Sequence, residues 1–291
     1  MVKKKREAKF IFFWIAPALI FLFFLLVAMG WALYASFTNI SLVGKEAISP
    51  QFIGLKNYVR IFKDPHFFNS IKISFAFTIG SALIGQCLLG LLLAVLLKQK
   101  AIKLKTGITT VVCLAWIIPD IVAVYVWGAF TAPEGMLNGL LGAVGLPTRE
   151  WLAEAPLETL IIANIWKGTA FSMILFSSAL ETIPSHYYEA ADMDGANSWQ
   201  KFKSITFPLV TPIILMDLLL ITIWTFGYFT LVYGLTGGGP GHLTEVFPVF
   251  IYKQAFAHYK VGYGAALSIV MTMIVSSVCL FYIMLLRRRS D

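Results

Sequence analysis

Six apolar stretches, each more than twenty residues long, divide this sequence and leave few folds open to it. At a rise of about 1.5 Å per residue, a helix of about twenty residues crosses a hydrocarbon core of about 30 Å. Only 13% of the residues are charged, whereas the share in an ordinary soluble domain is about 25%. The sequence therefore predicts an all-α membrane protein. It is one domain over residues 1–291, with six transmembrane helices at about 11–33, 73–97, 107–130, 160–180, 209–233 and 263–286.

Positive charge is distributed unevenly between the two ends of these stretches. Both chain termini, the loop from Lys98 to Lys105 and the segment around Lys201 fall on one side of a six-span topology and hold most of the Lys and Arg residues. Because such an excess marks the cytoplasmic side, both termini and the segment 181–208 are predicted to be cytoplasmic. Basic residues beside apolar stretches also account for the net charge of +8 without nucleic acid. The first stretch exceeds the about 7–15 apolar residues of a cleaved signal peptide, so we expect it to remain as a span.

The segment 181–208, called the polar loop below, is a charged element between two apolar stretches. A Pro-Ser pair at 184–185 ends one helix and begins the next, and Gly195 is predicted to end that next helix with a positive φ. Asn197 can cap a second short helix, because Gln200 stands three residues on in the capping-box position. A helix that rests on lipid headgroups is usually rich in Lys and Arg, but this segment carries four acids against two lysines. Its composition therefore predicts a protein partner.

The polar loop also carries a pattern of residue types at fixed spacing. Residues 189–191 read E-A-A, a glycine follows at 195, and the loop ends in I-T-F-P at 205–208. This pattern resembles the E-A-A–Gly–Ile-x-Leu-Pro loop of permease subunits of bacterial ABC importers, with Phe207 where that family usually has Leu. The segments that resemble further parts of the sugar-importer branch, and most of all its maltose- and glycerol-phosphate-type first permease, are 52–71, 116–130, 136–146, 165–184 and 237–256.

The resemblance implies a transmembrane subunit of an ATP-driven, binding-protein-dependent sugar importer with the type I importer fold, in a bacterial plasma (inner) membrane. Such a subunit usually pairs with a second homologous permease as a heterodimer. The pair works in the lipid bilayer with two ATPase subunits and an extracytoplasmic sugar-binding protein. By the same resemblance, the polar loop docks on an ATPase subunit, with Glu189 as its polar anchor and Gly195 as its bend. The residues expected to couple to the ATPase are Glu189, Ala190, Ala191, Asp194, Gly195, Ile205 and Pro208.

The chain has no sequence pattern for a nucleotide site of its own. A P-loop needs G-x-x-x-x-G-K-[ST], and the only Gly-Lys pair, Gly44-Lys45, is followed by Glu46. The four histidines show no i, i+4 pair that would predict a metal site. We therefore expect a non-catalytic subunit with no cofactor and no metal, while a partner binds and hydrolyses ATP.

Aromatic and hydrogen-bonding side chains in the fourth and fifth apolar stretches are candidates for a sugar pathway. Sugar sites commonly combine aromatic faces with hydrogen-bond partners, and Tyr233 also lies in this region. The predicted pathway residues are Asn164, Trp166, Lys167, Trp224 and Tyr228.

Asp120, Lys167 and Asp217 are the charged residues inside the six apolar stretches. Charges within a bilayer usually face a cavity or pair with one another. Lys167 is expected to pair with either Asp217 or Asp120. The two carboxylates also keep a second function open, an ion-coupled secondary transporter that uses Asp120 or Asp217 as its ion site.

Overall fold

The structure is a computed structural model that describes residues 2–98 and 104–290, with the side chains of residues 12–98 and 104–287. These ranges are mainly helical, and one isolated antiparallel bridge pairs Thr38 with Phe52. The α-helices are, in chain order, α1 (Val2–Ser36), α2 (Lys45–Ile48), α3 (Lys56–Ile61), α4 (Pro65–Thr78), α5 (Cys87–Leu97), α6 (Lys105–Ile117), α7 (Asp120–Phe130), α8 (Met136–Ala143), α9 (Trp151–Glu154), α10 (Pro156–Glu181), α11 (Ser185–Met193), α12 (Ser198–Lys201), α13 (Phe207–Phe226), α14 (Thr230–Thr236), α15 (Phe247–Tyr252) and α16 (Val261–Ser290). The π-helical segments are Ile79–Gln86, Phe202–Thr206 and Lys253–Ala257.

Within the described ranges, five uninterrupted helices are long and apolar enough to cross a membrane. They are Phe12–Ser36, Pro65–Leu97, Pro156–Glu181, Ser198–Phe226 and Val261–Arg287. The third apolar stretch instead forms two helices, α6 and α7, which are bent by 107° relative to each other. Pro119 causes the break, because it lacks an N–H and disfavours helical backbone at the residue before it; Ile118 accordingly has a ψ of 128°. With the bent pair counted as one span, the described part of the chain has the six spans that the sequence predicts.

Two spans differ from their expected boundaries. The second span begins at Pro65 instead of near residue 73, because a lysine such as Lys72 near a span end can direct its ammonium towards the interface without ending the helix. The fifth stretch is interrupted, since α13 ends at its C-cap Gly227 and α14 begins only at Thr230. Neither difference moves the polar loop away from its position between the fourth and fifth spans.

The described chain divides into two compact units. Their ranges are Met1–Asp64 with Ile251–Met273, and Pro65–Phe250 with Ile274–Asp291. In the first unit the hydroxyl of Tyr263 donates to Asp64 at 3.0 Å, and the guanidinium of Arg60 lies 4.5 Å from the centre of the same ring. The amide of Asn57 donates to the carbonyl oxygens of Ser36 and Thr38 at 2.8 and 2.9 Å, which closes the turn after α1.

α10 is the central helix of the second unit. It packs against α5, α6, α13 and the π-helical segment Ile79–Gln86. Small residues permit this close approach, since a Cβ added to Gly90 would lie 2.5 Å from the Cβ of Ser172 and 2.9 Å from the backbone nitrogen of Met173. At this position α5 and α10 therefore meet almost backbone to backbone, as is common where helices associate in lipid.

Candidate functional site

α11 forms the first half of the polar loop and ends at Gly195. This glycine has a φ of +75°. The N–H groups of Gly195 and Ala196 donate to the carbonyl oxygens of Asp192 and Ala191 at 3.0 and 2.9 Å. These two bonds form a Schellman motif, whose left-handed residue is usually glycine because glycine has no Cβ to clash. The predicted bend at Gly195 is confirmed.

α12 begins at a capping box, as the sequence predicts. The N–H of Gln200 donates to Oδ1 of Asn197 at 2.9 Å, and the N–H of Asn197 donates to Oε1 of Gln200 at 2.8 Å. From there the backbone stays helical through Phe202–Thr206 into α13. Pro208 lies in the first turn of α13, beside a π-helical segment that accommodates its missing N–H. The second half of the polar loop is therefore a direct extension of the fifth span.

Side-chain contacts hold the inner side of the polar loop together. Lys201 on α12 forms an ion pair with Asp192 on α11. The hydroxyl groups of Tyr188 and Thr206 share a hydrogen bond of 3.0 Å. At the end of α5, the ammonium of Lys98 lies 4.6 Å from the centre of the Tyr188 ring. The two helices of the polar loop are thus fixed to each other and to the end of the second span.

The outer side of the polar loop leaves large side chains exposed. Met193 is 89% exposed and Trp199 is 69% exposed, and Glu189, one turn before Met193 on α11, is exposed as well. Bulky side chains of this kind fill pockets on partner proteins. Of the remaining expected coupling residues, the exposed ones are Ala190, Asp194 and Pro208, and the half-buried ones are Ala191 and Ile205.

A polar cavity of about 210 Å³ lies between α10 and α13, next to the break between α6 and α7. Its lining residues are Gln86, Trp116, Asp120, Asn164, Lys167, Gly168, Ile221, Trp224, Thr225 and Tyr228. Four of the five expected pathway residues line this cavity. Trp166 does not, since its ring packs edge-to-face against Trp127 with 6.0 Å between ring centres. Tyr233 also lies outside the cavity and stacks on Phe229.

Lys167 joins the broken third span to α10. Its ammonium lies 3.1 Å from Oδ1 of Asp120 and donates to the carbonyl oxygens of Ile118 and Trp116 at 2.5 and 3.4 Å. The hydroxyl of Tyr228 donates to the same Oδ1 of Asp120 at 3.0 Å. A cation favours the carbonyl end of a helix, and an anion favours the amide end. Lys167 and Asp120 therefore stabilise the end of α6 and the start of α7.

Of the two partners expected for Lys167, the structure shows Asp120 and not Asp217. Asp217 is fully buried. The hydroxyl of Ser172 lies 2.9 and 3.0 Å from its two carboxylate oxygens. Asp217 lies 11 residues before Tyr228 in the sequence, and its contact on α10 is Ser172, five residues after Lys167. Tertiary packing brings it to Ser172, away from the polar cavity.

Two amide side chains close one wall of the polar cavity. The amide nitrogen of Asn164 donates to the hydroxyl oxygens of Ser81 and Thr225 at 2.8 and 3.5 Å. The amide of Gln86 donates to the carbonyl oxygen of Asn164 at 3.0 Å. A Cβ added to Gly168 would come within 2.3 to 2.5 Å of that Gln86 amide, so glycine makes room for it.

Sequence reasoning missed several residues of the polar cavity, and for two of them a signal was present. Gln86 is the only amide side chain in the stretch 73–97, and Trp116 stands three residues before Pro119. A polar group inside a span usually faces protein or a cavity. Thr225, Ile221 and Gly168 carry no comparable sequence signal.

Apolar helices of membrane-spanning length define an integral membrane protein, and these helices enclose a polar cavity. The profile of the family described as "Binding-protein-dependent transport system inner membrane component" matches residues 86–290. This match covers more than half of the chain, so the protein belongs to that family. It is a multi-pass inner membrane protein.

Relatives and a solved structure agree with this family. The trehalose/maltose transport system permease protein MalF of Thermococcus litoralis is 31% identical over 297 residues, covering 99% of this chain and 97% of the relative. The sulfoquinovosyl glycerol transport system permease protein SmoG of Agrobacterium fabrum is 30% identical, covering 94% and 89%. A chain of a bacterial ABC transporter that imports the acidic polysaccharide alginate is similar in fold, with a TM-score of 0.86 at 23% identity, and 99% of each chain is covered.

Proposed function

We propose that this protein is a transmembrane subunit of an ATP-driven, binding-protein-dependent sugar importer. It forms half of a translocation pathway together with a second, homologous permease. Two ATPase subunits act on the cytoplasmic side, and a sugar-binding protein delivers substrate from the other side. The chain itself is non-catalytic, holds no cofactor, and transmits the motion of the ATPase subunits through the polar loop.

The observation that carries this proposal is the construction of the polar loop. Its outer face exposes Glu189, Met193 and Trp199 to a partner. Its second helix continues without a break into the fifth span, Ser198–Phe226. A displacement of the docked loop therefore moves a membrane helix directly, because no flexible linker absorbs it. This is what coupling between ATP hydrolysis and alternating access requires.

The substrate class follows from the relatives and from the polar cavity. The two curated relatives carry names for transport of trehalose/maltose and of sulfoquinovosyl glycerol. The cavity supports a sugar, because it combines the indole faces of Trp116 and Trp224 with the amides of Gln86 and Asn164. Apolar walls with a few placed polar groups are typical of small-molecule sites.

The orientation of the chain belongs to the same proposal. Both termini and the polar loop face the cytoplasm, where the ATPase subunits hold ATP. The excess of Lys and Arg beside these segments supports this orientation.

The ion-coupled alternative is less well supported. Asp120 is already paired with Lys167, and Asp217 is buried against Ser172. A cation at Oδ1 of Asp120 would compete with the ammonium of Lys167, and a cation at Asp217 would have to enter a fully buried site. The family match also favours transport that depends on a binding protein.

The test is uptake by the assembled transporter, reconstituted in vesicles with its partner permease, its ATPase subunits and its binding protein. We expect accumulation of a labelled saccharide that requires ATP on the ATPase side and continues when uncouplers collapse the ion gradients. Uptake that survives ATP depletion but stops with an uncoupler would refute the proposal and favour the ion-coupled alternative.

A further inference from the structure

The polar cavity contains two charged side chains among its described lining residues, Lys167 and Asp120. They lie 3.1 Å apart, so the part of the cavity that this chain supplies has no net charge. The two charges are not equally accessible, however. The side chain of Lys167 is 10% exposed, whereas that of Asp120 is 38% exposed.

The ammonium of Lys167 has no hydrogen left for a substrate. A lysine has three N–H donors. Its three acceptors here are Oδ1 of Asp120 and the carbonyl oxygens of Ile118 and Trp116. An anionic substrate would have to take this ammonium away from the end of α6, which would leave backbone carbonyl groups without a donor.

The carboxylate of Asp120 is the charge that a substrate meets. Among the described residues, both of its side-chain donors, Lys167 and the Tyr228 hydroxyl, reach Oδ1. Oδ2 is therefore available to accept a hydrogen bond. A hydroxyl group can donate to it, whereas a second carboxylate, a phosphate or a sulfonate would be repelled by it.

The remaining walls suit a sugar ring without charge. Trp116 and Trp224 are 45% and 51% exposed, which leaves indole surface for the apolar faces of a ring. No further cation lines the described cavity to neutralise an anionic group.

We propose that the polar cavity selects neutral saccharides and rejects anionic ones, with Asp120 as the selectivity residue and Lys167 as the residue that positions it. This inference rests on the proposed function, because it concerns the substrate class of a sugar pathway. Selectivity of this kind arises from repulsion of the wrong ligand as well as from contacts with the right one.

The experiment uses the permease pair with its ATPase subunits in nanodiscs, without the binding protein, so that only the membrane site is probed. The probes are matched pairs of neutral and carboxylate sugars: glucose with glucuronate, galactose with galacturonate, and maltose with maltobionate. Saturation-transfer NMR measures each affinity. For the wild type we expect the neutral member of each pair to bind at least about tenfold more tightly than its acid.

Three variants test the residue assignment. Asp120→Asn keeps the shape and removes the charge, so the preference for neutral sugars should fall several-fold. Tyr228→Phe removes a hydrogen bond to Asp120 without changing charge, so the preference should persist even if overall affinity drops. Glu134→Gln also removes one carboxylate charge, at an exposed position in the loop between the third and fourth spans and outside the cavity, and should change nothing.

The possible outcomes distinguish a failure of the proposed selectivity from a failure of the proposed importer function. Acidic sugars that bind the wild type as tightly as neutral ones overturn the inference but leave the importer proposal intact. An unchanged preference in Asp120→Asn, or its loss in Tyr228→Phe, overturns the role of the Asp120 charge. If no saccharide of either kind binds and none accumulates with ATP, the sugar-importer proposal fails, and the inference fails with it.

Discussion

Lys167 illustrates how much a single side chain contributes when a helix breaks inside a membrane. The bend at Pro119 leaves the carbonyl groups of Trp116 and Ile118 without helical partners, and lipid offers none. Lys167 donates to both and also pairs with Asp120. The same contacts that stabilise the broken span also set the charge of the polar cavity.

A first prediction about a single residue concerns the backbone bend at Gly195. Gly195→Val should strain the bend by about 1–3 kcal/mol, because a β-branched residue resists the φ of +75° found there. We expect ATPase activity to continue while sugar uptake per ATP falls. Gly195→Asn is the matched control, since asparagine tolerates left-handed backbone, and it should stay close to wild type. Full coupling in the valine variant would show that the bend does not transmit the motion.

A second prediction concerns the charge of Glu189. Glu189→Lys reverses a charge on the exposed face of α11 and should weaken binding of the ATPase subunits about tenfold, equivalent to about 1.4 kcal/mol. Pull-down of the purified subunits at graded salt measures the affinity. Glu134→Lys, an exposed site in the loop between the third and fourth spans, is the control and should have no effect. Equal affinities for both variants and the wild type would remove Glu189 from the docking face.

At the scale of elements, the contact between α5 and α10 decides how closely the helices pack. Their backbones approach at Gly90, where the nearest atoms belong to Ser172 and Met173. The hydroxyl of the same Ser172 donates to Asp217. The polar cavity and this contact therefore share one helix, α10, and depend on its position.

Gly90→Ala tests this contact. The added Cβ would lie 2.5 Å from the Cβ of Ser172, so α10 has to shift, at a cost of about 1–3 kcal/mol. A lower Tm of the transporter in detergent is the expected result. Gly139→Ala on α8 is the matched control, because nothing lies within 4 Å of its new Cβ, and alanine favours helix over glycine. A Tm unchanged by Gly90→Ala would contradict close packing between α5 and α10 at this position.

At the scale of the whole molecule, the apolar surface requires lipid. α1 exposes large aromatic side chains such as Phe12, Phe13 and Phe21, each more than 70% accessible. A soluble protein rarely exposes a continuous apolar surface of this extent. The distribution of Lys and Arg predicts which end of each span faces the cytoplasm.

Labelling of single cysteines in intact cells tests this orientation. We expect a membrane-impermeant thiol reagent to label Glu134→Cys from outside and to label Asp194→Cys only after the membrane is opened. The native cysteines serve as the background, since Cys87 is buried and Cys113 and Cys279 are half-buried within helices. Labelling of Asp194→Cys in intact cells would place the polar loop on the wrong side for an ATPase.

Much of the fold could be predicted because its signals are local. The positive φ at Gly195, the capping box at Asn197 and the break at Pro119 each depend on residues within a few positions. The extent of the second span and the break after Phe226 were predicted less well. Whether Lys72 ends a span and whether Gly227 interrupts a helix depend on the tertiary surroundings of each residue, which the neighbouring sequence does not reveal.

The amino-acid sequence by itself determined the number of apolar stretches, the helix ends at Gly195 and Asn197 and the family, because apolar length, caps and motif spacing are read along the chain. Only the tertiary structure decided that Lys167 pairs with Asp120, that Trp166 leaves the polar cavity and that Gln86 enters it. The reason is physical: lipid and protein core are both apolar, so the residue pattern of a span does not tell which face turns inward. The rotation of each helix is set by close contacts such as Gly90 against Ser172, between residues far apart in the chain.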